Sequence, residues 1–230
     1  MQNSGLPLDL TFLLVRSPLL AVMFGFILAY FLNENIKAKG VVRAMFFIPN
    51  IVSAVLVSFI WVFIFTNAMP ALGGALGWDW LANISWFGTP SMATVTIIVV
   101  SIWQNIGFLM IIYTAGLQTI PKDVMESAEL DGCSGLKKVL KIELPLLMPT
   151  VTINLFVSIS GAFKSFDIPN AMTGGGPYGS TMPVAMNIYQ EAFTKYNLGY
   201  GSAKSVILFL TVAAVTLIQL YCTRKKEGEY

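Results

Sequence analysis

The charged residues of this chain are widely spaced, and the intervals between them carry the fold. No charge falls in positions 17–33, 44–78, 80–121, 144–163 or 205–223. A helix needs about 20 apolar residues to cross a hydrocarbon core of ~30 Å. Each of the five intervals approaches or exceeds that length, and the two longest hold one span plus a loop. The spacing predicts membrane-spanning helices over about 10–32, 44–66, 92–117, 146–166 and 204–223. A further uncharged interval, 168–190, contains Pro169, Thr173-Gly174-Gly175-Gly176-Pro177 and Pro183. Glycine and proline runs interrupt helices, so it reads as a loop with one short helix around Val184–Phe193. The expected fold is all-α: a single polytopic transmembrane bundle over residues 1–230, with five spans.

The connectors differ in composition. Segment 67–91 is rich in Gly, Pro and Trp. Its Trp78, Trp80 and Trp86 suit either a membrane interface or a small cap outside it. Segments 33–43, 118–145 and the C-terminal tail hold 10 of the 14 basic residues. Basic loops stay on the cytoplasmic side, which places those three segments there and the loops 67–91 and 168–203 outside. Five spans then put the N-terminus outside. Asp9 and the lack of a basic leading segment argue against a signal peptide, so this topology expects a preceding span.

Composition agrees. Apolar residues make up 56% and charged residues 11%, with a mean hydropathy of +0.72. A soluble fold of this size could not hide that much apolar surface. A net charge of +2, with no basic run interleaved with aromatics, excludes a nucleic-acid binder. Histidine is absent, which removes the commonest metal ligand and general base; no metal site is expected. Cys133 and Cys222 read as free thiols facing a reducing compartment.

The connector TIPKDVMESAELDGCSGLKKVLKIELPLLMP, residues 119–149, is the informative one. Pro121 suits a first helical position and Asp123 favours the positive helix start. Lys122–Leu130 is a good helix former, and Asp131-Gly132 is a stop with glycine available for the left-handed position. A second helix is expected at about Ser134–Lys141, and Pro145 marks the entry to the fourth span. Small residues Ser127 and Ala128 sit among Glu126, Glu129 and Asp131. Such a protrusion suits docking in a groove of a soluble partner, with the carboxylates accepting bonds from arginine. An amphipathic connector lying on lipid headgroups fits the same residues.

Glu126-Ser127-Ala128, three residues, Gly132, nine residues, Ile142, one residue and Leu144-Pro145 resembles the E-A-A-x3-G-x9-I-x-L-P loop of ABC-importer permeases. A chance match in a chain of this length is roughly one in 10⁵. Ser127 departs from the usual alanine but keeps a small side chain. Gly116-Leu117-Gln118-Thr119-Ile120-Pro121, Gly161-Ala162-Phe163-Lys164-Ser165-Phe166-Asp167 and Thr173–Pro177 are similar to the carbohydrate-uptake branch of those permeases. So are Val42–Pro49 and Asn197–Gly201. The resemblance covers nearly the whole chain. It implies a six-helix core, whose first helix is expected to be missing here.

The resemblance further implies a permease subunit of an ATP-driven, binding-protein-dependent importer in the cytoplasmic (inner) membrane, carrying a sugar or oligosaccharide. The expected partners are a second, non-identical permease, two cytoplasmic ATPase subunits, an extracytoplasmic solute-binding protein and the bilayer. ATP and Mg would sit on the ATPase subunits; no G-x-x-x-x-G-K-[ST] phosphate loop occurs in this chain, so it is read as no enzyme and as holding no cofactor itself. Glu126, Ser127, Ala128, Asp131, Gly132, Ile142, Leu144 and Pro145 are the expected ATPase-coupling residues. Intramembrane polar groups tend to face a cavity, and Ser101, Gln104, Asn105 and Phe108 recur at spacings that place them on one helical face. With Ser158, Lys164, Ser165 and Asp167 they are the candidate substrate pathway. The serines also suit helix–helix packing, and Lys164 with Asp167 also suits a plain ion pair. Loops 67–91 and 178–195 are candidates for contact with the binding protein. Three other classes compete: a permease of this type for another solute, such as a polyol phosphate or polyamine, a non-transport membrane scaffold, and a membrane-embedded enzyme, which would require clustered intramembrane His, Asp or Glu that the expected spans do not hold.

Overall fold

The computed structural model describes residues 7–33 and 38–227, with side chains for 17–33 and 38–224. Regular structure among the described residues is helical throughout. Helix α1 is Pro7–Asn33 and α2 is Lys39–Ile51. Helix α3, Ala54–Leu76, contains a π turn at Ile64–Ala68. A short α4, Asp79–Ala82, leads to the long α5, Pro90–Gln118. Next come α6, Lys122–Leu130, and α7, Gly135–Leu146, which contains a second π turn at Val139–Glu143. Then follow α8, Met148–Phe163, α9, Asp167–Thr173, α10 over 184–194, and α11, Leu198–Glu227.

Helix α5 is the hub. It packs against α1, α2, α8 and α9, while α8 in turn supports α1 and α11. One core joins Ala21, Val22 and Ala29 of α1 to Leu109, Met110 and Tyr113 of α5 and Leu147. A second joins Val57 and Phe65 of α3 to Ile97, Val100, Ile168 and Met172. Glycine sets the closest approach: a Cβ at Gly107 would collide with the carbonyl of Phe46 in α2, so α2 and α5 touch backbone to backbone.

Among the described residues, three helices are individually long and apolar enough to cross a membrane: Ala54–Leu76, Pro90–Gln118 and Leu198–Arg224. Gly135–Leu146 and Met148–Phe163 form a fourth candidate bent by 73°, and the described stretch Ser17–Asn33 of α1 is apolar and shorter.

The expected span over 44–66 is corrected. The helix breaks at Val52 and Ser53, where Val52 turns extended. The new helix runs to Leu76, ten residues into the stretch expected to be connector. Pro49 precedes the break and withholds one backbone donor, and the Gln104 side chain donates to the freed Val52 carbonyl at 3.2 Å. Pro70 is accommodated because it follows the widened turn at Ile64–Ala68. Gly77 then ends α3 in the left-handed region, with Trp78 N–H bonded to the Gly73 carbonyl at 2.8 Å. Beyond it, Trp78 and Trp80 are exposed and stacked, whereas Trp86 packs on Phe65.

Two further boundaries shift. The interval 168–190 contains α9 as well as the expected helix, since Pro169 stands in its first turn, where its missing donor has no partner to lose. The second helix of the 119–149 connector continues to Leu146, and the chain bends by 73° before Met148–Phe163, inside the stretch expected as the fourth span.

Candidate functional site

The first site is the corner between α6 and α7. Asp131 closes α6, and Gly132 follows at φ +74°. Cys133 N–H reaches back to the Ala128 carbonyl at 2.9 Å and Gly132 N–H to Glu129 at 3.0 Å. This double closure requires a left-handed residue, which glycine adopts without strain. Open space surrounds the Gly132 Cβ direction, so conformation, not crowding, selects glycine here.

The corner fixes which side chains project. Glu126, Ser127, Glu129 and Asp131 are exposed, and Ser127 Oγ donates to the Asp123 carbonyl. Ala128 is buried against its own chain. Both small residues border the open space beside α6, Ser127 exposed and Ala128 nearly covered. An open groove runs past Asp123, Val124, Ser127, Asp131 and Ile142. Leu144 and Pro145 are half-buried where α7 approaches the bend. Two apolar side chains not singled out from the sequence, Leu130 and Leu136, stand 89% and 73% exposed beside this corner. Exposed leucines next to carboxylates on a protrusion suit burial against another protein.

Behind the corner lies a cavity of about 480 Å³ lined by Tyr30, Asn33, Gln118, Lys122, Lys138 and Glu143, among others. Lys138 donates to Glu129 at 2.7 Å, and this bond raises the lysine above its usual range. Glu143 is 4% exposed, and its Oε2 accepts no hydrogen bond among the described residues. Burial pushes its carboxyl above the ordinary carboxylate range, and the nearby Lys138 charge opposes that only in part.

The second site lies between α1, α5, α8 and α9. A cavity of about 160 Å³ is bordered by Ser17, Ser101, Asn105, Phe108, Ser158 and Ser165, with Pro18, Gly161 and Ile168 nearby. Its polar lining is hydroxyl and amide. Ser101 Oγ is buried without a hydrogen-bond partner among the described residues, while Asn105 donates to the Ser101 carbonyl at 2.8 Å. An uncharged lining of donors and acceptors beside one aromatic ring can hold a neutral hydroxylated molecule.

Five of the eight candidate pathway residues meet here: Ser101, Asn105, Phe108, Ser158 and Ser165. The other three do not. Gln104 is turned into the helix bundle and spends its amide on Val52, so the single-face reading of 101, 104, 105 and 108 is corrected. Lys164 and Asp167 are exposed, line no part of this cavity, and form no ion pair with each other among the described residues. Ser17 and Pro18 of α1 were not identified from the sequence. A serine followed by proline at the start of an uncharged stretch was the available signal. Among the described residues, no three His, Cys, Asp or Glu side chains converge to hold a metal.

On the opposite side, α9 and α10 form a hydrogen-bonded cap. Thr181 meets the Thr173 hydroxyl at 2.6 Å and donates to the Gly176 carbonyl. Glu191 takes Lys195 at 3.0 Å, Asn197 at 3.1 Å and Lys204 at 3.6 Å. Lys195 and Asn197 hold its carboxyl below the usual range. Tyr178 and Tyr196 project outward from this cap.

A family model described as "Binding-protein-dependent transport system inner membrane component" matches residues 21–227. The multiple sugar-binding transport system permease protein of Streptococcus mutans is 34% identical over 227 residues, 99% of this chain and 77% of that protein. The trehalose/maltose transport system permease protein of Thermococcus litoralis is 33% identical over 204 residues, 87% of this chain and 68% of its own length. A bacterial alginate ABC transporter, solved in complex with an alginate pentasaccharide-bound periplasmic protein, contains a chain with a TM-score of 0.83 at 21% identity. It covers 95% of this chain and 77% of that one. At that identity the likeness is one of fold.

Proposed function

The chain belongs to the binding-protein-dependent transport system inner membrane components, and from that premise we propose that it is the permease subunit of an importer for a sugar or oligosaccharide. The uncharged cavity bordered by Ser101, Asn105, Ser158 and Ser165 is the observation that carries the cargo class. An amino acid, phosphate or polyamine would require a fixed opposite charge, and among the described residues no charged side chain borders this cavity. The hydroxyl and amide lining with Phe108 suits a neutral polyol, and the permeases of Streptococcus mutans and Thermococcus litoralis carry sugars by name.

In this reading α6 enters a groove on a cytoplasmic ATPase subunit, with Glu126, Ser127, Asp131 and Leu130 at the contact. Two ATPases and a second, non-identical permease complete the machine. Binding and hydrolysis of ATP, with its Mg, take place on those subunits. The force reaches the spans through Gly132, α7 and the bend at Leu147. The solute-binding protein docks on the other face, near Trp78, Trp80, Tyr178 and Tyr196. The C-terminus lies in the cytoplasm, following the basic residues.

Purification of the tagged chain from its own cells, followed by uptake into proteoliposomes, tests this. An ATPase and a second permease should co-purify, and a labelled oligosaccharide should enter only with ATP and the binding protein. Asn105→Ala should raise the KM for uptake and leave assembly intact. Gln104→Ala should act on stability instead, because its amide holds the α2–α3 break. Uptake kinetics unchanged in Asn105→Ala would remove this cavity from the pathway.

A further inference from the structure

We propose that Glu143 is a positioning residue for the coupling step, to which Lys138 passes from Glu129 when α6 engages the ATPase. The inference rests on the reading of α6 as the ATPase contact, and adds a charged relay that the loop motif does not contain.

Three observations converge. First, Glu143 is 4% exposed and one of its oxygens lacks a hydrogen-bond partner among the described residues. A buried, unsatisfied carboxylate is unfavourable, so this position has unfilled capacity for one donor. Second, the π turn Val139–Glu143 sets the register. Its closing bond runs from Leu144 N–H to the Val139 carbonyl, five residues back. The same step relates Glu143 to Lys138, so one wide turn stacks carboxylate and ammonium along one side of α7. Both side chains line the same cavity of about 480 Å³, which gives the lysine room to swing. Third, the present partner of Lys138 is weakly held. Glu129 is 63% exposed, and an exposed pair contributes little.

Engagement of α6 would give the exposed Glu129 carboxylate a basic partner on the ATPase surface. Lys138 would then gain more from the buried Glu143 carboxylate, where water screens less. The new pair would tie the two ends of the π turn together and stiffen the arm that leads to the bend. Docking on one side of the corner would thus rigidify the other.

The test uses the reconstituted importer with its co-purifying ATPases. The readout is substrate transported per ATP hydrolysed, for Glu143→Gln, Lys138→Met and the double variant. Each single change should lower that ratio about five- to tenfold, and the double variant should show no further loss, as expected for partners in one interaction. Glu143→Gln is isosteric, and thermal unfolding should show it at least as stable as the unchanged chain, separating relay from misfolding. Glu143→Asp should restore part of the ratio. Unchanged ratios in the single variants, or effects that multiply in the double, would overturn the relay while leaving the docking of α6 intact. If no ATPase co-purifies with the unchanged chain, the docking reading fails, and the relay with it.

Discussion

The two connectors that flank α8 are built in opposite ways. The one beyond Phe163 closes on itself: Thr173, Thr181, Ser180 and Glu191 spend their polar atoms on partners within the cap. The one before Met148 does not. It leaves Leu130 and Leu136 in the open, holds its corner with the Lys138–Glu129 ion pair, and buries an unsatisfied Glu143. A segment that satisfies its own groups needs no partner to be ordered. A segment that leaves apolar surface bare and a carboxylate unanswered gains stability when something else arrives. The contrast separates a cap whose polar groups are answered from within from a protrusion that leaves a buried carboxylate oxygen unanswered.

Hydroxyl removal gives the sharpest break. Thr181→Val should lower stability by about 2–3 kcal/mol, since the residue is fully buried and its hydroxyl serves two partners. Ser127→Val in the protrusion should stay within about 0.5 kcal/mol, because its hydroxyl is exposed and bonds only locally. Thermal unfolding in detergent compares them, and equal losses would erase the distinction. Gly132→Val should cost about 1–2 kcal/mol, from a β-branched residue at φ +74°. Its effect on coupled uptake should be much larger than its effect on unfolding, and a proportional loss of both would place the corner among ordinary structural turns.

Acid titration sharpens the contrast by sign. Glu191 sits below its ordinary value, so its contribution is present above the usual carboxylate range and is lost as pH falls through the lowered pKa. Glu143 sits above its ordinary value, so the fold favours its protonated form, and stability declines as pH rises through the raised pKa. Glu191→Gln should flatten the acid limb of a stability–pH curve, and Glu143→Gln should flatten the limb at higher pH. The smallest effect belongs to Lys138→Ala, which should lose under about 0.5 kcal/mol in the isolated chain, as an exposed ion pair would.

The sequence revealed what depends on local chemistry. Uncharged intervals held the three long apolar helices without fixing their bounds, since the expected 44–66 lies at Ala54–Leu76, and Asp131-Gly132 located the corner, because a helix stop needs only a residue that tolerates the left-handed region. Features set by distant partners were not legible. The break at Val52 is held by Gln104, 52 positions away, and no window around residue 52 contains that bond. The same bond turned Gln104 from the cavity that its neighbours Ser101 and Asn105 line. The π turns shift every following side chain around the helix axis, so a fixed 3.6-residue period misplaces the residues beyond them. Glu143, with one buried oxygen unpartnered among the described residues, lies in such a turn.

The 73° angle at Leu147 turns α7 into a crank. Its arm, residues 135–146, is about 18 Å long at 1.5 Å per residue. Tilting that arm by about 10° would carry its far end some ~3 Å, the reach of a hydrogen bond. A modest push at the corner would therefore exchange one set of atomic neighbours for another while α8 stayed seated on α1 and α11.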